Sequence, residues 1–131
     1  MEISILPLIT ALILNTIIPM IWYSPKVLGT IWAKALHLKM ENLKPSPLHY
    51  MSSIAVTIVT VVITYYLINK FEIKTVNQAI ELGLLLSVGF IASNKLSSVI
   101  WANRPFKAYL IEMGHQLIVT LLNCILFVVW K

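Results

Sequence analysis

The chain has 131 residues, of which 59% are hydrophobic and 11% charged, with a formal net charge of +5 and a mean hydropathy of +0.86. Soluble domains carry about 25% charged residues, so this balance excludes a water-soluble globular protein. The ten Lys and Arg fall mostly between apolar runs and not in an aromatic-interleaved patch, which argues against nucleic-acid binding and for orientation against a lipid bilayer with anionic headgroups.

The length allows four spans of about 20 residues joined by short connections, as one transmembrane domain over residues 1–131. The first apolar window, about residues 3–23, follows "MEIS". An acid stands there where a signal peptide needs positive charge, and no small-x-small site precedes "WYSPK", so the window is expected to stay as a permanent helix. Within it Asn15 lies four residues before Pro19, whose ring leaves the Asn15 carbonyl without its helical donor. Pro25 closes the helix.

The connection that follows places Leu28, Ile31, Trp32, Ala35 and Leu36 at helical spacing, with Thr30, Lys34, His37 and Glu41 facing elsewhere. This predicts an amphipathic helix over about residues 27–43 lying in the membrane interface, as an anchor or as a gate over a polar cavity. Ser46 and Pro47 then open a second span over about 48–69, with Ser53, Thr57, Thr60 and Thr64 along one face. Thr75 and Gln78 form a capping-box signal before the third span, about 78–101. That span carries Asn94 and Lys95, and Gly89, Ser93 and Ser97 at a spacing of four that would allow close helix contact. A tight "ANRPFK" turn leads to the fourth span, about 108–130. Because lipid offers no partner to backbone groups, helix is the expected form of all four, and the fold class is an all-α membrane four-helix bundle with an interfacial helix between helices 1 and 2.

The first and third connections hold Lys26, Lys34, Lys39, Lys44, Arg104 and Lys107; the other side holds Lys70, Lys74 and Lys131. The positive-inside rule therefore predicts both termini outside a cell's inner membrane.

The fourth span is unusual in its polar residues. Glu112, His115, Gln116 and Asn123 share one side of the cylinder, with Tyr109 and Thr120 close by. Lys95 and Glu112 come to similar depths on the two arms of the last hairpin and are expected to form a salt bridge, or to snorkel to the headgroups. Glu112 and His115 have the spacing of half a di-metal carboxylate motif, but the other half is missing, so no metal is expected. No nucleophile motif or phosphate-binding glycine loop occurs, His37 and His49 belong to the connection, and neither catalytic residues nor a cofactor are expected.

The element Trp22, Tyr23, Ser24, Pro25, followed by Gly29 and Trp32, and the later "NRPFKAYLIEMGHQLI" that contains Arg104, resemble the small bacterial four-helix membrane proteins grouped as domain of unknown function 1761. The resemblance covers nearly the whole chain, and it implies a membrane bundle without implying an activity. Two readings of the polar residues follow. Asn15, Asn94, Lys95, Glu112, His115, Gln116 and Asn123 line a path or cavity, within a homo-oligomer, that binds or passes a proton, cation or small solute; alternatively they are interhelical glue in an accessory or scaffold protein.

Overall fold

The computed structural model describes residues 3–39 and 46–130. In chain order it contains α1 (Ile5–Trp22), α2 (Gly29–Ala35), α3 (Pro47–Lys70), α4 (Val76–Leu84), a π-type stretch (Leu85–Ala92), α5 (Ser93–Trp101) and α6 (Phe106–Val129). Helix α4, the π stretch and α5 run on as one rod from Val76 to Trp101, so among the described residues four rods are long and apolar enough to cross a bilayer. No strand occurs among the described residues, and the chain is an all-helical membrane bundle. Its outer surface is coated with large apolar side chains such as Ile13, Ile54, Val59, Leu85 and Phe90. In water that coat would be a liability, whereas in hydrocarbon it is ordinary.

Helix ends follow local chemistry. At the start of α3 the Ser46 hydroxyl accepts from the His49 amide while the His49 ring accepts from the Ser46 amide, a reciprocal cap with Pro47 in the first turn. At α4 the Thr75 hydroxyl accepts from the Gln78 amide at 3.1 Å, and the Gln78 side chain accepts from the amides of Lys74 and Thr75. The interfacial helix is shorter than its periodicity implies. It ends at Ala35, because His37 turns into the left-handed region at φ 58°, so that the His37 amide donates to Lys34 O and the Leu38 amide to Ala33 O. That hydrogen-bond pattern closes a helix and satisfies its last carbonyls. The remainder of the expected 27–43 segment, from residue 40 on and including Glu41, lies outside the described residues, as do Lys44 and Lys131.

Helix α6 packs on α1, α2, α3 and α4 and is the axis of the bundle. The apolar core gathers at the end that holds the start of α1 and the end of α6, from Ala11, Val61, Tyr65, Ile68, Ala79, Cys124 and Phe127. There Tyr65 meets Phe127 edge-on at 5.2 Å and accepts a hydrogen bond from the Ser4 amide at 2.9 Å. Close approach of α4 to α6 uses Ala79 and Gly83, both buried, and Ser87 is buried in the π stretch that follows. A Cβ on Gly83 would come within 2.7 Å of a Leu121 methyl.

The small residues singled out in the sequence, Gly89, Ser93 and Ser97, are exposed in the single chain, with nothing within 4 Å of a Cβ built on Gly89. The two sets lie on opposite sides of the rod, because Gly89 follows Ser87 by two positions and each helical residue turns by about 100°. The hydroxyl row on α3 is also resolved locally: Thr57, Thr60 and Thr64 each donate to the carbonyl four residues back, at 2.7–2.9 Å, and of these only Thr64 is buried.

Candidate functional site

The polar residues of α6 fall into three groups at successive depths. Deepest is an amide pair. Asn15 Nδ2 donates to Asn123 Oδ1 at 2.7 Å and to its own helix at Ala11 O at 2.7 Å, while Asn123 Nδ2 returns a bond to Asn15 Oδ1 at 3.3 Å. Asn123 is 1% exposed. Both hydrogens of the Asn15 amide are therefore occupied, and the pair joins α1 to α6 at the level where Pro19 lacks an amide to offer the Asn15 carbonyl.

About two to three turns higher, the motif around residue 23 folds onto α6. The Trp22 indole donates to the Ile111 carbonyl at 2.8 Å, and its ring covers Gly114, where a Cβ would approach within 2.8 Å. Tyr23 stands between two rings, meeting Trp32 edge-on at 5.2 Å and His115 at 5.5 Å. Such contacts add to the area they bury. Tyr23 lies just past the end of α1, and burial pushes its phenol up to about 12, with the Glu112 carboxylate adding to the shift and Arg104 opposing it. It therefore stays a neutral phenol at physiological pH.

Ser24 and Pro25 close the turn. The Ser24 carbonyl accepts from the amides of Val27 and Gly29, and the Pro25 carbonyl accepts from the Thr30 hydroxyl at 2.9 Å. Gly29 is buried against this turn, and a Cβ there would overlap the Tyr23 carbonyl and stand 2.8 Å from Ser24 O. Trp32 Nε1 and His115 Nε2 are buried without a hydrogen-bond partner among the described residues. Since an unpaired buried group costs about 1–3 kcal/mol, ring packing and not polar pairing holds Trp32 and His115 against Tyr23. Gln116 is half-buried on α6 and makes no side-chain hydrogen bond to another described residue.

The third group lies where α5 turns into α6. Arg104 Nε donates to Glu112 Oε1 at 2.9 Å and Nη2 reaches both carboxylate oxygens, with Oε2 at 2.7 Å. Arg104 is 37% exposed and Glu112 13%. The partner of Glu112 is thus Arg104, a correction to the expected bridge with Lys95. The cause is the turn: Asn103 adopts φ 53° and the Arg104 amide bonds back to Ser98 O at 3.2 Å, which brings the guanidinium over the first turns of α6. Planar, bidentate geometry then favours the arginine over a lysine.

Lys95 is exposed and has no acid partner among the described residues. It lines, with Asn94, Ser98, Arg104, Tyr109 and Glu112, an open cleft of about 530 Å³. Tyr109 braces one wall by donating to the Ala92 carbonyl at 2.8 Å, at the end of the π stretch. Among the described residues no three His, Cys, Asp or Glu side chains converge as a metal site would need.

Nearly the whole chain, residues 6–128, matches the family model described as Protein of unknown function (DUF1761). The chain belongs to that family. No curated protein and no solved structure matches it significantly. Read on the DUF1761 framework, the Trp22 to Trp32 motif acquires a structural role in this chain. Trp22, Tyr23, Gly29 and Trp32 clamp the first connection onto the Gly114–His115 step of α6. The sequence displays both the motif and His115, but their contact is not local in the chain. The small residue beside His115 in "EMGHQ", opposite a motif rich in Trp and Tyr, was the available signal.

Proposed function

We propose that this DUF1761 member is a membrane protein that binds a small anionic solute in the cleft between α5 and α6, and that its deeper polar residues fasten helices together. The carrying observation is the charge balance of the cleft. Glu112 is already neutralised by Arg104, whereas Lys95 in the same cleft has no acid. A cation would find its carboxylate taken; an anion would find Lys95, the Asn94 amide and the outer nitrogen of Arg104. In this reading the chain catalyses no reaction. With the purified protein in detergent, acetate and succinate should raise the thermal midpoint of the wild type and leave Lys95→Gln unmoved, and ammonium should do nothing. Stabilisation by ammonium, or an equal response of Lys95→Gln to the anions, would count against the proposal.

A second reading, an accessory scaffold, is favoured by the number of bonds that cross between helices: Asn15 to Asn123, Trp22 to Ile111, and Tyr109 to Ala92. It predicts no response to any of these ions. Passage of a solute through the bundle is the less favoured version of the binding reading, because the Asn15 and Asn123 amides are already turned on each other.

Within the same proposal the protein sits in a cell's inner membrane with both termini outside, and copies associate through the exposed Gly89, Ser93 and Ser97 face. Cys124 is buried, so introduced cysteines report cleanly. Lys39→Cys should be labelled only from the cytoplasmic side and Glu72→Cys only from the opposite one. Ser93→Cys should cross-link between copies, while Val59→Cys, on an exposed face of α3, should not. Same-side labelling of residues 39 and 72, or equal cross-linking at 59 and 93, would contradict this arrangement.

A further inference from the structure

A second cleft, of about 410 Å³, lies where α2 leans on the start of α6 and is lined by Thr30, Ile31, Lys34, Ala35 and Lys107. Its two lysines come from segments more than seventy positions apart in sequence, and no acid lines it. Neither lysine makes an ion pair among the described residues. Two ammonium groups facing one hollow repel each other, and in that position they favour an occupant of opposite charge.

The surroundings narrow the choice of occupant. Lys107 is the second residue of a helix that spans the membrane, and Lys34 stands in the last turn of α2. The cleft is therefore at the level where headgroups meet hydrocarbon. Apart from Thr30 its remaining walls are apolar, Ile31 is 41% exposed, and Phe106, beside Lys107, is 55% exposed. A free phosphate has no use for that apolar surface, whereas a phospholipid has acyl chains to lay on it. The Thr30 hydroxyl is already donated to Pro25 and offers only a lone pair, so the lysines carry recognition.

We infer that the hollow between α2 and α6 is a binding site for the phosphate of an anionic phospholipid, held by Lys34 and Lys107. The site is separate from the solute cleft, which neither lysine lines. Occupancy would tie α2 to the start of α6 and so steady the same connection that presses Tyr23 onto His115.

The test uses the full chain released from nanodiscs of phosphatidylcholine doped with phosphatidylglycerol, with retained lipid counted by native mass spectrometry. The wild type should retain phosphatidylglycerol over phosphatidylcholine roughly 25-fold, about fivefold for each lysine near a lipid phosphate. Lys34→Gln with Lys107→Gln should abolish the preference, and Lys70→Gln, at the other end of the bundle, should keep it. Thermal unfolding of each variant, recorded alongside, separates lost affinity from lost fold. An unchanged preference in a folded double variant, or an equal loss with Lys70→Gln, would overturn the site. Displacement of the lipid by millimolar inorganic phosphate would overturn the assignment to a lipid. None of these outcomes depends on whether Lys95 binds a solute.

Discussion

Gly29→Ala should lower the stability of the protein by about 3 kcal/mol or more, the upper range for forcing atoms into a packed site. This glycine has no unusual backbone angle, since no glycine among the described residues has positive φ. Its requirement is space. The added methyl would overlap the Tyr23 carbonyl and press on Ser24 O, which are backbone atoms that cannot rotate away. The Ser24 carbonyl is itself held by the Gly29 and Val27 amides, so relief breaks the turn that those bonds close. Once the turn opens, Tyr23 leaves Trp32 and His115 together. The thermal midpoint in detergent should fall by about 10 °C. Val59→Ala, on an exposed face of α3, is the control, and its midpoint should stay close to that of the wild type. Equal midpoints for Gly29→Ala and the wild type would refute the clamp.

The second large effect belongs to the ion pair of the cleft. Arg104→Gln or Glu112→Gln leaves a charge in a half-buried site, and each should cost roughly 2 kcal/mol, between the about 1 kcal/mol of an exposed pair and the 3–5 kcal/mol of a buried one. The double variant should cost clearly less than the sum, since no stranded charge remains. Lys95→Gln should barely change stability and should add independently to Glu112→Gln. The opposite pattern, coupling of Glu112 to Lys95 and additivity with Arg104, would restore the bridge expected from sequence.

Much of the architecture was readable from hydropathy because a bilayer leaves helices few alternatives. The window drawn at 48–69 folds as Pro47–Lys70, and the one at 78–101 as the rod from Val76 to Trp101. Their starts were legible because Ser46 with Pro47 and Thr75 with Gln78 act through bonds to neighbouring amides. The site was less legible, and for reasons of angle. Placing Lys95 opposite Glu112 required only depth along the hairpin, but the choice between Lys95 and Arg104 depended on the left-handed turn at Asn103. Asn15 and Asn123 stand more than a hundred positions apart, and no local pattern announces that two amides will meet.

The proposal for the cleft rests on Lys95 being the cation left without an acid. That is measurable directly by a solid-state NMR dipolar-recoupling distance between the ammonium nitrogen of ¹⁵N-labelled lysine at position 95 and the carboxyl carbon of ¹³C-acetate, with the protein in bilayers. Assignment comes from loss of the signal in Lys95→Gln. The account predicts dephasing at salt-bridge range, about 4 Å, for added acetate and none for the Glu112 carboxyl, which remains on Arg104. Dephasing against Glu112, with none against acetate, would contradict it.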